Sequence, residues 1–176
     1  MRRITTAVFL FLGLSASAFA QHDFVNWETP HVSPLALTPD KTRLLAVNTA
    51  DDRLEVFDAT GPSPVWLFAV PVGLDPVAVR ARSSAEVWVV NHLSDSVSIV
   101  DLATGNVTAT LATEDEPCDV IFAGKPLRAF VSCSQTNAIL VFNPQNLAAA
   151  PVRVALEGED PRMLAADGQR VDAAIF

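Results

Sequence analysis

The 176-residue sequence has no tyrosine, two cysteines, seven glycines and two lysines, Lys41 and Lys125. Each scarcity closes off a class of function. Twelve Lys and Arg stand against twenty Asp and Glu, for a net charge of −8. No basic patch can be assembled from them, so nucleic acid is excluded as a partner. Seven glycines leave no phosphate-cradling loop. The chain also lacks CxxCH, GxSxG and HExxH, so covalent haem attachment, a serine-hydrolase elbow and a zinc-protease helix have no residue support. The histidines, His22, His31 and His92, are scattered and give no metal-ligand spacing. No cofactor and no metal are expected. Beyond residue 20, Asp, Glu, Arg, Asn or Pro interrupts every apolar run, so no later segment reaches transmembrane length.

What is present begins with an address. Met1-Arg2-Arg3 supplies a positive start, Ala7 to Leu14 a short apolar stretch, and Ala18-Phe19-Ala20 a small-x-small cleavage site before Gln21. That is the layout of a secretory signal peptide. Residues 1–20 read as a leader and 21–33 as a lead segment, with the mature chain expected in the periplasm or outside the cell. Half of the residues are apolar, enough for a core, and 12 spread prolines argue against a helical bundle.

The rest of the chain repeats. Pro34, Pro76, Pro117 and Pro161 are separated by 42, 41 and 44 positions. Asp58, Asp101 and Asn143 follow at 43 and 42, and Asn48, Asn91 and Ser132 at 43 and 41. Independent markers on one period of about 42 belong to the range of propeller blades. Inside each period, four short β-branched and aromatic runs alternate with Pro, Gly, Asn and Asp clusters, and no segment offers a helical period. The expected fold is all-β: a β-propeller of four-stranded antiparallel blades at 34–75, 76–116 and 117–160, with a partial blade at 161–176. About three and a half blades make an open, truncated ring, since closure takes about four to eight. The remaining blades are expected from the same reading frame, or from another copy or chain.

On this alignment one face of the ring carries Asp75, Glu116 and Asp160 before the prolines. It also carries Asp51-Asp52, His92 to Asp95 and Ser134 to Asn137. The functional reading is an acidic rim that attracts cationic ligands. The plainer reading, which is preferred, is turn punctuation at repeat positions. Cys118 and Cys133 carry the sharpest local expectation. A hairpin turning at Gly124 to Leu127 pairs Ala123 with Arg128 and sets the two cysteines face to face. In an oxidising compartment that register favours a disulfide, the alternative being two small buried thiols.

The run from Trp88-Val89-Val90-Asn91 through Val97-Ser98-Ile99-Val100-Asp101 to Thr104-Gly105 resembles the repeat of the YVTN family of bacterial β-propellers. Trp88 stands at the Tyr position, Val89 and Asn91 match, and Val90 replaces Thr. The first repeat matches through Asn48 and Val56-Phe57-Asp58, the third only through Ser132 and Asn143. The resemblance covers roughly residues 34–176. It is specific for fold and nearly silent on chemistry; a repeated scaffold with variable loops leads us to expect a binding or scaffold module, without catalysis, that meets an unidentified protein or small-molecule ligand through its loop face. The alternative it implies is the propeller portion of a periplasmic enzyme, lactonase-like or associated with a haem or quinone dehydrogenase.

Overall fold

A computed structural model describes residues 29–168 and 170–176; the expected leader at 1–20 and positions 21–28 of the lead segment, with His22, lie outside them. Three four-stranded antiparallel sheets follow one another, each with its strands in chain order. The first holds β1 (Leu35–Leu37), β2 (Arg43–Asn48), β3 (Arg53–Asp58) and β4 (Val65–Pro71). The second holds β5 (Pro76–Ala81), β6 (Glu86–Asn91), β7 (Ser96–Asp101) and β8 (Asn106–Ala112). The third holds β9 (Pro117–Ala123), β10 (Arg128–Cys133), β11 (Ala138–Phe142) and β12 (Val152–Ala155). A two-stranded sheet, β13 (Leu164–Ala166) with β14 (Val171–Ala173), comes last. Among the described residues the only helical piece is a single 3-10 turn at Thr49–Asp51, and no helix is long and apolar enough to cross a membrane.

The sheets stack face to face, and two apolar layers hold them. Between the first two, Leu45, Val47, Leu54 and Val56 meet Val79, Val87, Val89 and Val100. Between the second and third, Trp88, Val90, Val97 and Ile99 meet Val120, Val131, Leu140 and Phe142. Alternate residues of a strand point to opposite faces, so β6 and β7 feed both layers and are buried almost throughout. Trp88 is fully buried and meets Phe122 and Phe142 edge-on, with ring centroids 5.3 and 6.4 Å away. Such T-shaped pairs set the positive ring edge against the negative face. In the third turn of the second sheet, Gly105 takes a left-handed φ of +66° and donates its N–H to the Asp101 carbonyl at 2.9 Å. A residue without Cβ adopts that φ without strain.

The register corrects the sequence alignment in one place and the cysteine pairing with it. Asn48 pairs with Arg53, Asn91 with Ser96 and Cys133 with Ala138, so the third strand-end residue is Cys133 rather than Ser132. The expected hairpin register holds from Ala123↔Arg128 to Asp119↔Ser132, then slips, and Cys133 faces Pro117. The second sheet slips at the same place, between Pro76 and Ala78. Proline has no N–H to give the ladder, and a bulge just after it inserts one extra residue. Val77 and Cys118 are those residues. The two cysteines are therefore not directly opposed, and both are buried free thiols.

Candidate functional site

The loops preceding each proline share a face with the turns between second and third strands, and a repeated pair of bonds joins them. Asp75, Glu116 and Asp160 hold φ of +55°, +55° and +49°. Their N–H groups donate to Asp52 Oδ1, Asp95 Oδ1 and Asn137 Oδ1 at 2.8, 3.0 and 2.9 Å. The three accepting residues are left-handed as well, at +53°, +47° and +51°. Asp and Asn tolerate that region best among residues with side chains. Their carbonyls take a second N–H each, from Val72, Thr113 and Leu156. Asp75 and Asp95, placed on this face from the sequence, thus act as joints. Asp95 caps the next loop's N–H.

A further bond links successive sheets, and it is not repeated everywhere. Thr49 Oγ1 donates to the Pro76 carbonyl at 2.7 Å and lies 2.6 Å from His31 Nε2. His92, buried at the equivalent position, sets Nδ1 at 3.0 Å from the Pro117 carbonyl. At the third joint the equivalent residue is Ser134. Its hydroxyl turns back to Glu116, 3.1 Å from the carbonyl and 3.2 Å from Oε2. A cavity of about 440 Å³ opens beside it, walled by Glu116, Ser134, Asn137, Glu159, Asp160 and Arg162. Arg162 Nε donates to both oxygens of Asp160 at 3.0 Å, and that pairing raises the guanidinium pKa further. Asp160 and Arg162 also border an apolar cavity of about 380 Å³ reaching His31, Val32 and Met163.

Beneath this face Cys118, His92 and Glu116 line up. Cys118 Sγ is 3.8 Å from His92 Nδ1, and His92 Nε2 is 4.0 Å from Glu116 Oε2. The order suggests nucleophile, base and orienting acid, but the protons are in the wrong places. A carbonyl only accepts, so Nδ1 must carry the hydrogen that Pro117 receives. That nitrogen has no lone pair left for the thiol. Burial pushes the Cys118 thiol upward, and the Cys133 thiol up to about 12. Neither sulfur has the lowered pKa of an activated nucleophile.

Sequence reasoning overlooked one pair. Asp119, fully buried in β9, accepts from Arg80 Nη2 of β5 at 3.2 Å and from the Leu164 N–H of β13 at 3.0 Å. Arg80 Nη2 also donates to Ser33 Oγ at 2.7 Å, and Ser132 Oγ, which receives the Asp119 N–H, donates onward to the Arg162 carbonyl. The line runs along the first strands of successive sheets, from the segment before β1 to β13. A lone charge within each apolar run, Arg80 after Val77-Ala78-Val79 and Asp119 before Val120-Ile121-Phe122, was the available signal. Among the described residues no group of three His, Cys, Asp or Glu is placed to hold a metal ion.

No protein-family model matches the chain, and no curated protein sequence does either. Solved structures do. Hydrazine synthase of Kuenenia stuttgartiensis superposes with a TM-score of 0.72 at 24% identity, over 86% of this chain and 44% of that one. A 6-phosphogluconolactonase-like protein of Bacteroides uniformis gives 0.66 at 22%, over 84% and 48%. A streptogramin B lyase structure gives 0.64 at 18%, over 80% and 47%. The fold is that of β-propeller blades. At these identities the likeness concerns the fold alone, and the chain spans less than half the length of each of the three.

Proposed function

We propose that this chain is the propeller of an exported, YVTN-like protein that binds a partner or ligand through its loop face and does no chemistry there. One observation supports this reading above the others: the one imidazole buried on that face among the described residues, and the aspartates of its turns, are engaged in holding the joints. His92 Nδ1 serves the Pro117 carbonyl and Asp52 and Asp95 cap neighbouring loops. What remains open is a polar-walled cavity on a rigid scaffold, the arrangement by which repeat folds present binding surfaces. The leader-like first twenty residues and the repeat ending in Asn91 and Asp101 support export and the YVTN likeness. The test uses the whole chain: fractionation of expressing cells is expected to place it outside the cytoplasm. Purified protein is expected to leave sugar lactones unhydrolysed, and lactone turnover abolished by substitutions on the loop face would overturn the reading.

A second reading has its own support. The neighbours include a lactonase-like protein and a lyase, and their chains are about twice as long. On that reading the chain is the propeller portion of an enzyme, lactonase-like or associated with a haem or quinone dehydrogenase, whose catalytic residues lie elsewhere.

A further inference from the structure

The third joint breaks the rule that the first two follow, and the break coincides with the polar cavity. Thr49 and His92 each reach across to the next sheet's proline carbonyl, whereas Ser134 folds back onto Glu116. A short side chain stands where an imidazole closes the previous joint, and space of about 440 Å³ is left behind. That is within the usual size of ligand pockets.

We infer that this cavity binds an alkylammonium or guanidinium group, either a small free amine or the end of a basic side chain on a partner. The inference rests on the binding reading above and gives it a ligand chemistry. Three carboxylates, Glu116, Glu159 and Asp160, share the cavity with a single cation, Arg162. Arg162 is charge-paired with Asp160, which accepts its Nε–H on both oxygens, so Glu116 and Glu159 are left as excess negative charge in the cavity. The Glu116 side chain is 40% exposed and, among the described residues, receives only the Ser134 hydroxyl within hydrogen-bond distance, with His92 Nε2 at 4.0 Å, so it retains acceptor capacity toward the cavity. A group carrying several N–H donors and a positive charge meets that demand through charge-assisted bonds. The net charge of −8 steers cations toward the protein as a whole.

Titration calorimetry on the whole chain tests this with three probes: n-butylamine, the capped tripeptide Gly-Lys-Gly, and the same tripeptide with norleucine in place of lysine. The lysine peptide or the amine is expected to bind and the norleucine peptide to fail, with affinity falling as salt is raised. Tighter binding of the peptide than of butylamine assigns the site to a partner's side chain, and equal binding assigns it to a free amine. Ser134→His is expected to refill the gap as His92 does, and Glu116→Gln to remove the charge while keeping the backbone bonds. Each should weaken binding about tenfold or more. Norleucine binding as tight as lysine, binding untouched by Glu116→Gln, or silence from both amines would overturn the inference. Silence in a chain without lactone turnover removes the cation site and leaves the non-enzymatic reading standing; lactone turnover removes that reading and leaves the cation site to its own titration.

Discussion

The first and second sheets share strand order, turn positions and near-identical registers, yet they live in different surroundings. In the second sheet the row Ala81, Val87, Val100 and Val107 is matched across the four strands; its first three residues pack against the first sheet, and Val87 and Val100 are fully buried there. The corresponding row in the first sheet is Leu37, Leu44, Phe57 and Trp66. No described sheet covers it. Leu37 is 51% exposed and Trp66 58%. The opposite face, with Leu45, Val47, Leu54 and Val56, is buried against the second sheet. Burial in a stack of blades is therefore a property of the interface. A strand's own alternation says which residues point together, and the neighbouring blade decides whether that face is worth energy.

Two tryptophans separate these contributions most widely. Trp88→Ala removes a fully buried indole and both of its edge-on aromatic contacts. A cost of about 3–5 kcal/mol is expected, because a large side chain is deleted from a layer that cannot collapse around the gap. Urea unfolding followed by circular dichroism would measure it, and a loss below about 1 kcal/mol would show that the layer between the second and third sheets contributes little to stability.

Asp119→Ala comes next. The change strands the Leu164 N–H and takes from Arg80 its carboxylate partner. Arg80 is about one-third exposed, so water offsets part of its loss. A destabilisation of about 2–3 kcal/mol is expected, together with earlier hydrogen exchange in β13 than in β6. If β13 and β6 lost protection equally, Asp119 would be a general core residue rather than the tie between the third and last sheets.

The thiols give a pH-dependent version of the comparison. Burial holds the Cys133 proton up to about 12 and raises Cys118 as well, while an unfolded cysteine titrates near about 8.5. The neutral thiol is the form the fold prefers, so its contribution is complete below the unfolded value and is lost as pH climbs toward the folded one. Stability should fall between about pH 9 and 12, and Cys133→Ala should flatten that fall. Native protein should resist alkylation and denatured protein take two labels. Two unlabelled sulfurs after denaturation without reductant would instead establish the disulfide.

Much of this architecture was legible in the sequence, and the illegible parts have physical causes. The spacing of Pro34, Pro76 and Pro117 marks where successive sheets begin, because a residue without an N–H is tolerated at a strand start and not inside a ladder. Thr104-Gly105 and Gly124 to Leu127 mark turns that the structure contains. One residue of bulge was invisible, since a bulge is a backbone event with no side-chain signature, and it displaced the cysteine pairing. The Ser132 alignment slipped because the turn between β9 and β10 is one residue longer than that between β5 and β6. The loop-face acids were readable as turn residues, but their partners lie some twenty positions away on the next loop. No local pattern carries that. Asp119 shows the same limit at longer range: its ties to Arg80 and Leu164 span 39 and 45 positions, and only stacking brings them together.

The smallest expected effect is the counterpart of the largest. Trp66 keeps its Nε1 bond to Glu55 Oε2 at 2.7 Å and covers its neighbours in β3, yet more than half of it meets solvent. Leu37→Ser with Trp66→Ser should therefore cost about 1–2 kcal/mol, less than Trp88→Ala, since roughly half of each side chain stays in water on folding. The pair sits at the two ends of an uncovered apolar row, and such rows drive association. Sedimentation velocity of the double variant should show less self-association than the parent chain at the same concentration. A stability loss approaching that of Trp88→Ala would mean that this face is already covered in the folded protein, by a further blade or a second copy, and the contrast between the two sheets would disappear.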